Sequence, residues 1–544
     1  MNDILIIGSG IAGMTCAVKC AELGMHATLV SPFPSERSQS VMAAGGINAV
    51  LPDADEADTV AFHIEDTLKG GGYIAGDAAV TGLCESAAGI IKYLEKIGTV
   101  FSVDENGRPV KRAFGGQSHK RTYYCGSSTG KQIVSALVME TRRYEAAGLI
   151  TRKLHGCFHS ALIKDGQCYG ALIFDESTGG IKAVTADALV LATGGQNALF
   201  GKTTGSTACD GYAAGRLLMQ GAELKNLEFI QYHPTTLETY GKRMLISEAV
   251  RGEGGRLYYE ENGKRIYFME EKYGDKGNLM TRDIVSREIY ACKKDVFLDI
   301  SFLDENIIKK RLPEVRDLCL KYRSMDICKT PIPVAPSVHF FMGGLAVRLN
   351  HETNIKNLFA VGECASIYHG ANRLGGNSLL AAMHGGIVAA QALAGREAVK
   401  TRPSFESFAK DEKDKFLKTF ESESTFPVMY VRESLADTMN GHLGIVRDEE
   451  GLLKGISDVD YLRSVSEKLK YDKSVLPYFN YSLTGILTLA RAVFECALFR
   501  KESRGAHFRK DHPSPEKTYA AATIVSYDGK SFKTRLDKEG RYES

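Results

Sequence analysis

No C-x-x-C occurs among the twelve cysteines, whose closest pairs are Cys16/Cys20 and Cys319/Cys328. Iron–sulfur clusters draw on closely spaced cysteines, so none is expected in this chain, and free thiols in a reducing compartment are. No metal site is expected either. No basic leader or small-residue cleavage site precedes Asp3-Ile4-Leu5-Ile6-Ile7, which reads as a strand rather than a signal peptide. No apolar run reaches the roughly 20 residues that span a bilayer, since Leu379 to Ala394 is broken by His384, Gly385, Gly386 and Gln391. A formal net charge of +2 gives no sign of a nucleic-acid partner, so any attraction for anions must be local. There is no internal repeat and no low-complexity segment.

What is present is ordinary in bulk, at 44% hydrophobic and 25% charged residues, and rich in glycine, at 55. A chain of 544 residues is too long for one core, so several domains are expected. The first thirty residues read β-α-β, with a strand at 3–7, a helix at 12–23 and a second strand at 27–30. Between the first two lies Gly8-Ser9-Gly10-Ile11-Ala12-Gly13. A G-x-G-x-x-G carries little weight alone, but here it joins a strand to a helix, where a bare backbone and a helix N-terminus can receive a pyrophosphate. The apolar runs from Ala188 to Gly195 and from Asn357 to Glu363 read as further parallel strands buried on both faces.

The large separation of those two runs implies an insertion. The expected organisation is α/β: a Rossmann-like nucleotide-binding domain over residues 1–225 and 345–400, with an α+β capping domain inserted at 226–344. A helical domain at 401–510, including the stretch from Phe405 to Phe420, and a small C-terminal β region at 511–544 follow. The latter holds a hairpin with an Asp528-Gly529 turn.

Five polar clusters fall mid-chain: His233-Pro234-Thr235; Ser247-Glu248-Ala249-Val250-Arg251-Gly252-Glu253-Gly254-Gly255; Arg282-Asp283, with the acid as a helix cap; Ser337 to Gly344; and His369 to Leu379, with Ser378 as a possible N-cap. Singly, each has a structural explanation. Together they offer histidines and arginines in glycine-lined surroundings, which suits a small dianion, because the guanidinium fork matches a carboxylate.

Five segments here, Gln231-Tyr232-His233-Pro234-Thr235, Ser247–Gly255, Arg282-Asp283, His339–Gly344 and His369–Leu379, resemble in this order the signature blocks of the fumarate reductase/succinate dehydrogenase flavoproteins, and weaker likeness runs to Ser503-Arg504-Gly505-Ala506-His507. The resemblance implies an FAD-dependent oxidoreductase that interconverts fumarate and succinate, chiefly reducing fumarate. It implies that His233, Ser247, His339 and Arg373 hold the two carboxylates of a C4 dicarboxylate. Ser247 stands where the family usually has Thr, which keeps the hydroxyl. Hydride would come from flavin N5 and a proton from Arg282, resupplied through Glu248 and Arg251. FAD contacts are implied at Gly8, Ser9, Gly10, Ile11, Ala12, Gly13, Ser31, Ser38, Gln39, Ser40, Gly45, Gly46, Ala192, Thr193, Gly194, Asp210, Glu363, His369, Ser378 and Leu379. Partners implied are a membrane anchor and a separate iron–sulfur subunit, holding a cytoplasmic protein at the inner face of the membrane.

Two residues depart from the family pattern. Gln39 replaces the His that links covalently to FAD, so a non-covalent flavin is expected, and Ala44 replaces a Gln or Glu beside the flavin. L-Aspartate oxidase, a relative that also lacks the linking His, is the alternative reading. A flavin-binding electron-transfer or scaffold protein without turnover is a second.

Overall fold

The computed structural model describes residues 2–51, 57–126, 128–418 and 427–542. Strand β1 (Asp3–Ile7) is buried over all but its first residue and leads through the glycine turn into helix α1 (Ile11–Glu22) and strand β2 (His26–Ser31). Strands β3 (Ile150–Leu154) and β4 (Ala188–Leu191) belong to the same five-stranded parallel sheet. Writing Leu358–Ala360 as β7, the order is β7-β4-β1-β2-β3. Pairings such as Ile4 with Ala27 and Ala188, and Leu189 with Leu358, place the two distant apolar runs beside β1. Their uninterrupted apolar character follows from burial on both faces.

Two close approaches fix the turn. A Cβ on Gly13 would lie 1.9 Å from Gly8 O, and one on Gly8, at φ +108°, would lie 2.2 Å from Ala192 O. Only glycine lets α1 start this near the strand ends.

Between β4 and β7 the chain builds a second, six-stranded antiparallel sheet. Its order is Lys242–Leu245, β5 (Ile230–Thr239), β6 (Ile332–Phe341), Val296–Asp299, Arg256–Glu261 and Lys264–Ile266. It has its own apolar core, including Leu257, Val285, Leu298 and Ile332. Helix α2 (Arg282–Cys292) packs on β5 and β6. The β5–β6 ladder shifts register on either side of Tyr232 and His233, and Pro234 sits inside the second irregularity. Such bulges re-aim side chains locally.

Two expected caps are corrected. The N-cap of α2 is Thr281, so Arg282 is the first helical residue and Asp283 lies inside the first turn. Helix α3 (Asn377–Ala394) is capped by Gly376 rather than Ser378. Gly376 has φ +84°, and a Cβ there would meet Asn48 Oδ1 at 2.0 Å, so the chain turns into the helix two residues early.

The C-terminal part contains helices Glu406–Lys418, Val428–His442, Glu449–Ser466 and Leu483–Phe499. Residues 419 and 420 of the helical stretch expected at 405–420 lie outside the described residues. The hairpin strands are Thr523–Tyr527 and Phe532–Leu536, with Gly529 at φ +91° in the turn. They do not stand alone, because Val525 pairs with Leu224 and so joins a sheet that includes Gly344–Ala346 and Ala365–Ser366. All twelve cysteines are free thiols. Among the described residues no helix is long and apolar enough to cross a membrane.

Candidate active site

A cavity of about 420 Å³ runs from the β1–α1 turn to the polar ends of β5 and β6. Its walls include Gly8, Ser9, Gly10, Ile11, Ala12, Ser31, Ser38, Gln39, Ser40, Gly45, Gly46, Ala192, Thr193, Gly194, Asp210, Glu363, His369, Ser378 and Leu379. They also include His233, Ser247, Glu248, Arg282, His339 and Arg373. Two residues of the expected set do not line it. Gly13 is spent on packing against Gly8, and Arg251 stands behind Glu248 with no side-chain exposure.

The cationic cluster is assembled around one carboxylate and one amide. Glu248 Oε2 accepts from Arg282 Nε and Nη2 at 3.0 and 2.9 Å. Its other oxygen accepts the Gly115 N–H at 2.7 Å and lies 3.4 Å from Arg251 Nη2. Burial works to raise the Glu248 pKa, but Arg282, Arg251 and the Gly115 amide outweigh it and hold the carboxylate below its usual range. A cation on the first turn of a helix opposes the helix dipole, and the two-point contact with Glu248 offsets that cost for Arg282. Arg251 Nη1 donates to Asn278 O at 2.5 Å.

Gln231 is absent from the expected set. Its Oε1 accepts from both Arg282 Nη1 and Arg373 Nη2, each at 3.0 Å. Its Nε2 donates to Asn372 Oδ1 at 2.7 Å and Arg373 O at 2.8 Å. One neutral amide thus holds two like charges side by side. Burial, and after it Arg282, press against the charge on Arg373, which an added anion would relieve. Arg373 also stacks over Phe340 at 4.3 Å, and its Nε has no partner among the described residues.

His233 and His339 meet edge to face with centroids 5.2 Å apart. Burial and the nearby arginines push both well below the ordinary imidazole pKa, so both rings are neutral. Thr204, also absent from the expected set, brings its hydroxyl to 2.8 Å from His339 Nδ1. Gln231 opens the segment that resembles the family's block around His233, but nothing in the sequence gives it a role, and no local pattern distinguishes Thr204.

At the other end the helical part contributes a wall through Leu476, Tyr478 and Phe479. Asp210 is buried, which raises its pKa, and accepts from the Tyr212 amide and the Tyr478 hydroxyl at 3.0 Å each. Burial drives Glu363 up to about 7 while it accepts the Phe341 N–H at 3.0 Å. Burial lowers His369 to about 3.

The donor set fits a bound dinucleotide. Ser38 Oγ, Gln39 Oε1 and His369 Nδ1 are buried polar atoms without partners among the described residues, and the Gly8–Ala12 turn and the start of α3 line the same cavity.

Comparison with known proteins agrees. Residues 3–379 match the FAD binding domain family, and residues 432–541 match the fumarate reductase flavoprotein C-terminal family. The succinate dehydrogenase flavoprotein subunit of Bacillus subtilis is 36% identical, over 98% of this chain and 95% of its own. The 8-methylmenaquinol:fumarate reductase flavoprotein subunit of Wolinella succinogenes is 33% identical, over 94% of this chain and 86% of its own. Among solved structures, the FrdA chain of the E. coli quinol fumarate reductase superposes with a TM-score of 0.91 at 28% identity, covering 98% of this chain and 96% of that one.

Proposed function

This chain belongs to the fumarate reductase/succinate dehydrogenase flavoprotein family, and on that premise we propose that it interconverts fumarate and succinate, working chiefly as a fumarate reductase. The observation that carries this reading is the convergence of Arg282, His339 and Arg373 on the cavity that also holds the nucleotide cradle. FAD, when bound, supplies the hydride chemistry.

The chain's own residues do the rest. His233, Ser247, His339 and Arg373 grip the two carboxylates, with Arg373 supplying a planar fork. Arg282 delivers the proton to the substrate carbon. A guanidinium with a pKa above roughly 12 is a poor acid in water. Here it is buried, pressed among like charges and backed by Glu248, whose two oxygens face Arg282 on one side and Arg251 on the other. That division gives an order for resupply, from Arg251 through Glu248 to Arg282. His233, Glu248, Arg282 and Arg373 are all buried, which strengthens the charge interactions among them.

Gln39 cannot form the bond that an imidazole forms, so FAD is held without a covalent link, which lowers its potential and favours fumarate reduction over succinate oxidation. Electrons reach it from a separate iron–sulfur subunit, with a membrane anchor holding the assembly at the inner face of the membrane. Residues 1–225 and 345–400 form the FAD-binding domain, 226–344 the cap, 401–510 the helical domain and 511–544 the terminal β region.

A steady-state assay with fumarate and a reduced viologen dye, run beside L-aspartate with oxygen, tests the function. Turnover on fumarate is expected, and turnover on L-aspartate alone would overturn the reading. After acid precipitation the flavin is expected in the supernatant, and flavin fluorescence fixed to the precipitated polypeptide would overturn the non-covalent attachment.

A further inference from the structure

Two neutral histidines can bind an anion only if each turns an N–H toward it. A neutral imidazole has one N–H and one lone pair, so the partner of Nδ1 decides what Nε2 offers. For His233 the decision is local. Thr235 O lies 3.1 Å from Nδ1, but it already accepts the Ile246 N–H at 3.1 Å. The buried Thr235 N–H, 3.3 Å from Nδ1, has this nitrogen as its acceptor. That arrangement satisfies both backbone groups and leaves the hydrogen on Nε2.

His339 is held from far away. Its Nδ1 faces Thr204 Oγ1 at 2.8 Å, across 135 positions of sequence. The Thr204 amide donates to Val338 O at 3.2 Å, which pins the threonine beside strand β6. The hydroxyl can aim its hydrogen at Val338 O, also at 3.2 Å, or at the nearer Nδ1. The first choice would put the ring hydrogen on Nδ1 and turn a bare Nε2 lone pair toward the anion. The second gives His339 the donor that His233 already has.

We infer that Thr204 is a positioning residue, whose O–H donates to His339 Nδ1 and fixes the ring as an Nε2–H donor to a substrate carboxylate. This rests on the proposed dicarboxylate site. Arg282, His233, Arg373 and Glu248 surround His339, and with burial the cations keep the ring from protonating, so the tautomer rather than a positive charge supplies the hydrogen. Because Thr204 lies on the loop before Asp210 while His339 lies on the second sheet, the correct tautomer requires those two parts to be apposed. Substrate binding and their contact are therefore coupled through one hydroxyl.

The test uses the flavin-loaded enzyme and three variants. Thr204→Val removes the hydroxyl at nearly constant shape and is expected to raise the KM for fumarate, and the dissociation constant of malonate read from the flavin spectrum, about tenfold, with a smaller change in kcat. Thr204→Ser is expected to restore both. In a His339→Gln background, Thr204→Val is expected to add no further loss, because the ring it orients is gone. A Thr204→Val enzyme with wild-type KM, an equal loss in the His339→Gln background, or failure of Thr204→Ser to rescue would each overturn the inference. A wild type that neither binds malonate nor reduces fumarate would instead overturn the dicarboxylate reading, and this inference with it.

Discussion

In the β1–α1 turn the ligand-facing groups come from consecutive residues, Gly8 to Ala12, and the geometry is enforced by backbone so close that a Cβ on Gly8 or Gly13 would stand 2.2 or 1.9 Å from a carbonyl oxygen. The guanidinium cluster at the other end of the same cavity draws on Gln231, Glu248, Arg282 and Arg373. Their bonds join positions 34, 51 and 142 residues apart. The cradle depends on the absence of side chains and the cluster on long, charged ones. At Gly8 and Gly13 the cradle tolerates no added atom, whereas the cluster tolerates no lost one. The two regions should therefore fail differently.

The largest effect is expected at Arg282. Arg282→Ala should lower kcat for fumarate reduction by about 10³- to 10⁴-fold while the flavin-to-protein ratio stays at the wild-type value. Flavin loss in this variant would erase the contrast between the regions. Gly13→Ala should do the reverse, since its Cβ would stand 1.9 Å from Gly8 O. A destabilisation of about 3 kcal/mol and poor flavin retention are expected, checked by denaturant unfolding and flavin content.

Glu363 sits between the regions and sharpens the comparison through pH. Burial raises its pKa from 4.5 to about 7. A carboxyl whose folded pKa is raised favours the native state fully below 4.5, and that contribution is lost as pH rises through about 7. The flavin-free protein should lose about 3 kcal/mol across that window relative to Glu363→Gln, whose unfolding should be flatter with pH. Parallel pH profiles for the two would contradict it. The smallest effect is expected at Gln231. Gln231→Leu leaves two guanidiniums adjacent without their shared acceptor, and kcat/KM for fumarate should fall about 10- to 30-fold at unchanged flavin content. A loss as deep as that of Arg282→Ala would mean that Gln231 takes part in proton transfer rather than only positioning Arg282.

Several features were legible because they are local. The glycine spacing, the strand that precedes it and the helix that follows are set by neighbours in sequence, and their ends shift by only a residue in the structure. The polar blocks were legible by resemblance, since spacing alone cannot say that His233, His339 and Arg373 meet. The cap of α3 was misplaced because Gly376 acts through a contact the local pattern does not carry, whereas the cap of α2 was misplaced by two residues with no side-chain hydrogen bond at Thr281 to signal it. At Gly376 the deciding atom belongs to Asn48, from a distant part of the chain.

By itself the amino-acid order determined the parallel β-α-β cradle, the inserted position of the second sheet and the identity of the charged groups available to a dianion. Periodicity and glycine placement act over a few residues and need no folded context. The tertiary structure alone decided that Gln231 holds two arginines together, that Arg251 stands behind Glu248 rather than in the cavity, and that Thr204 faces His339. Those outcomes depend on hydrogen bonds between segments that come together only when the core packs, and their energies depend on the burial that packing creates.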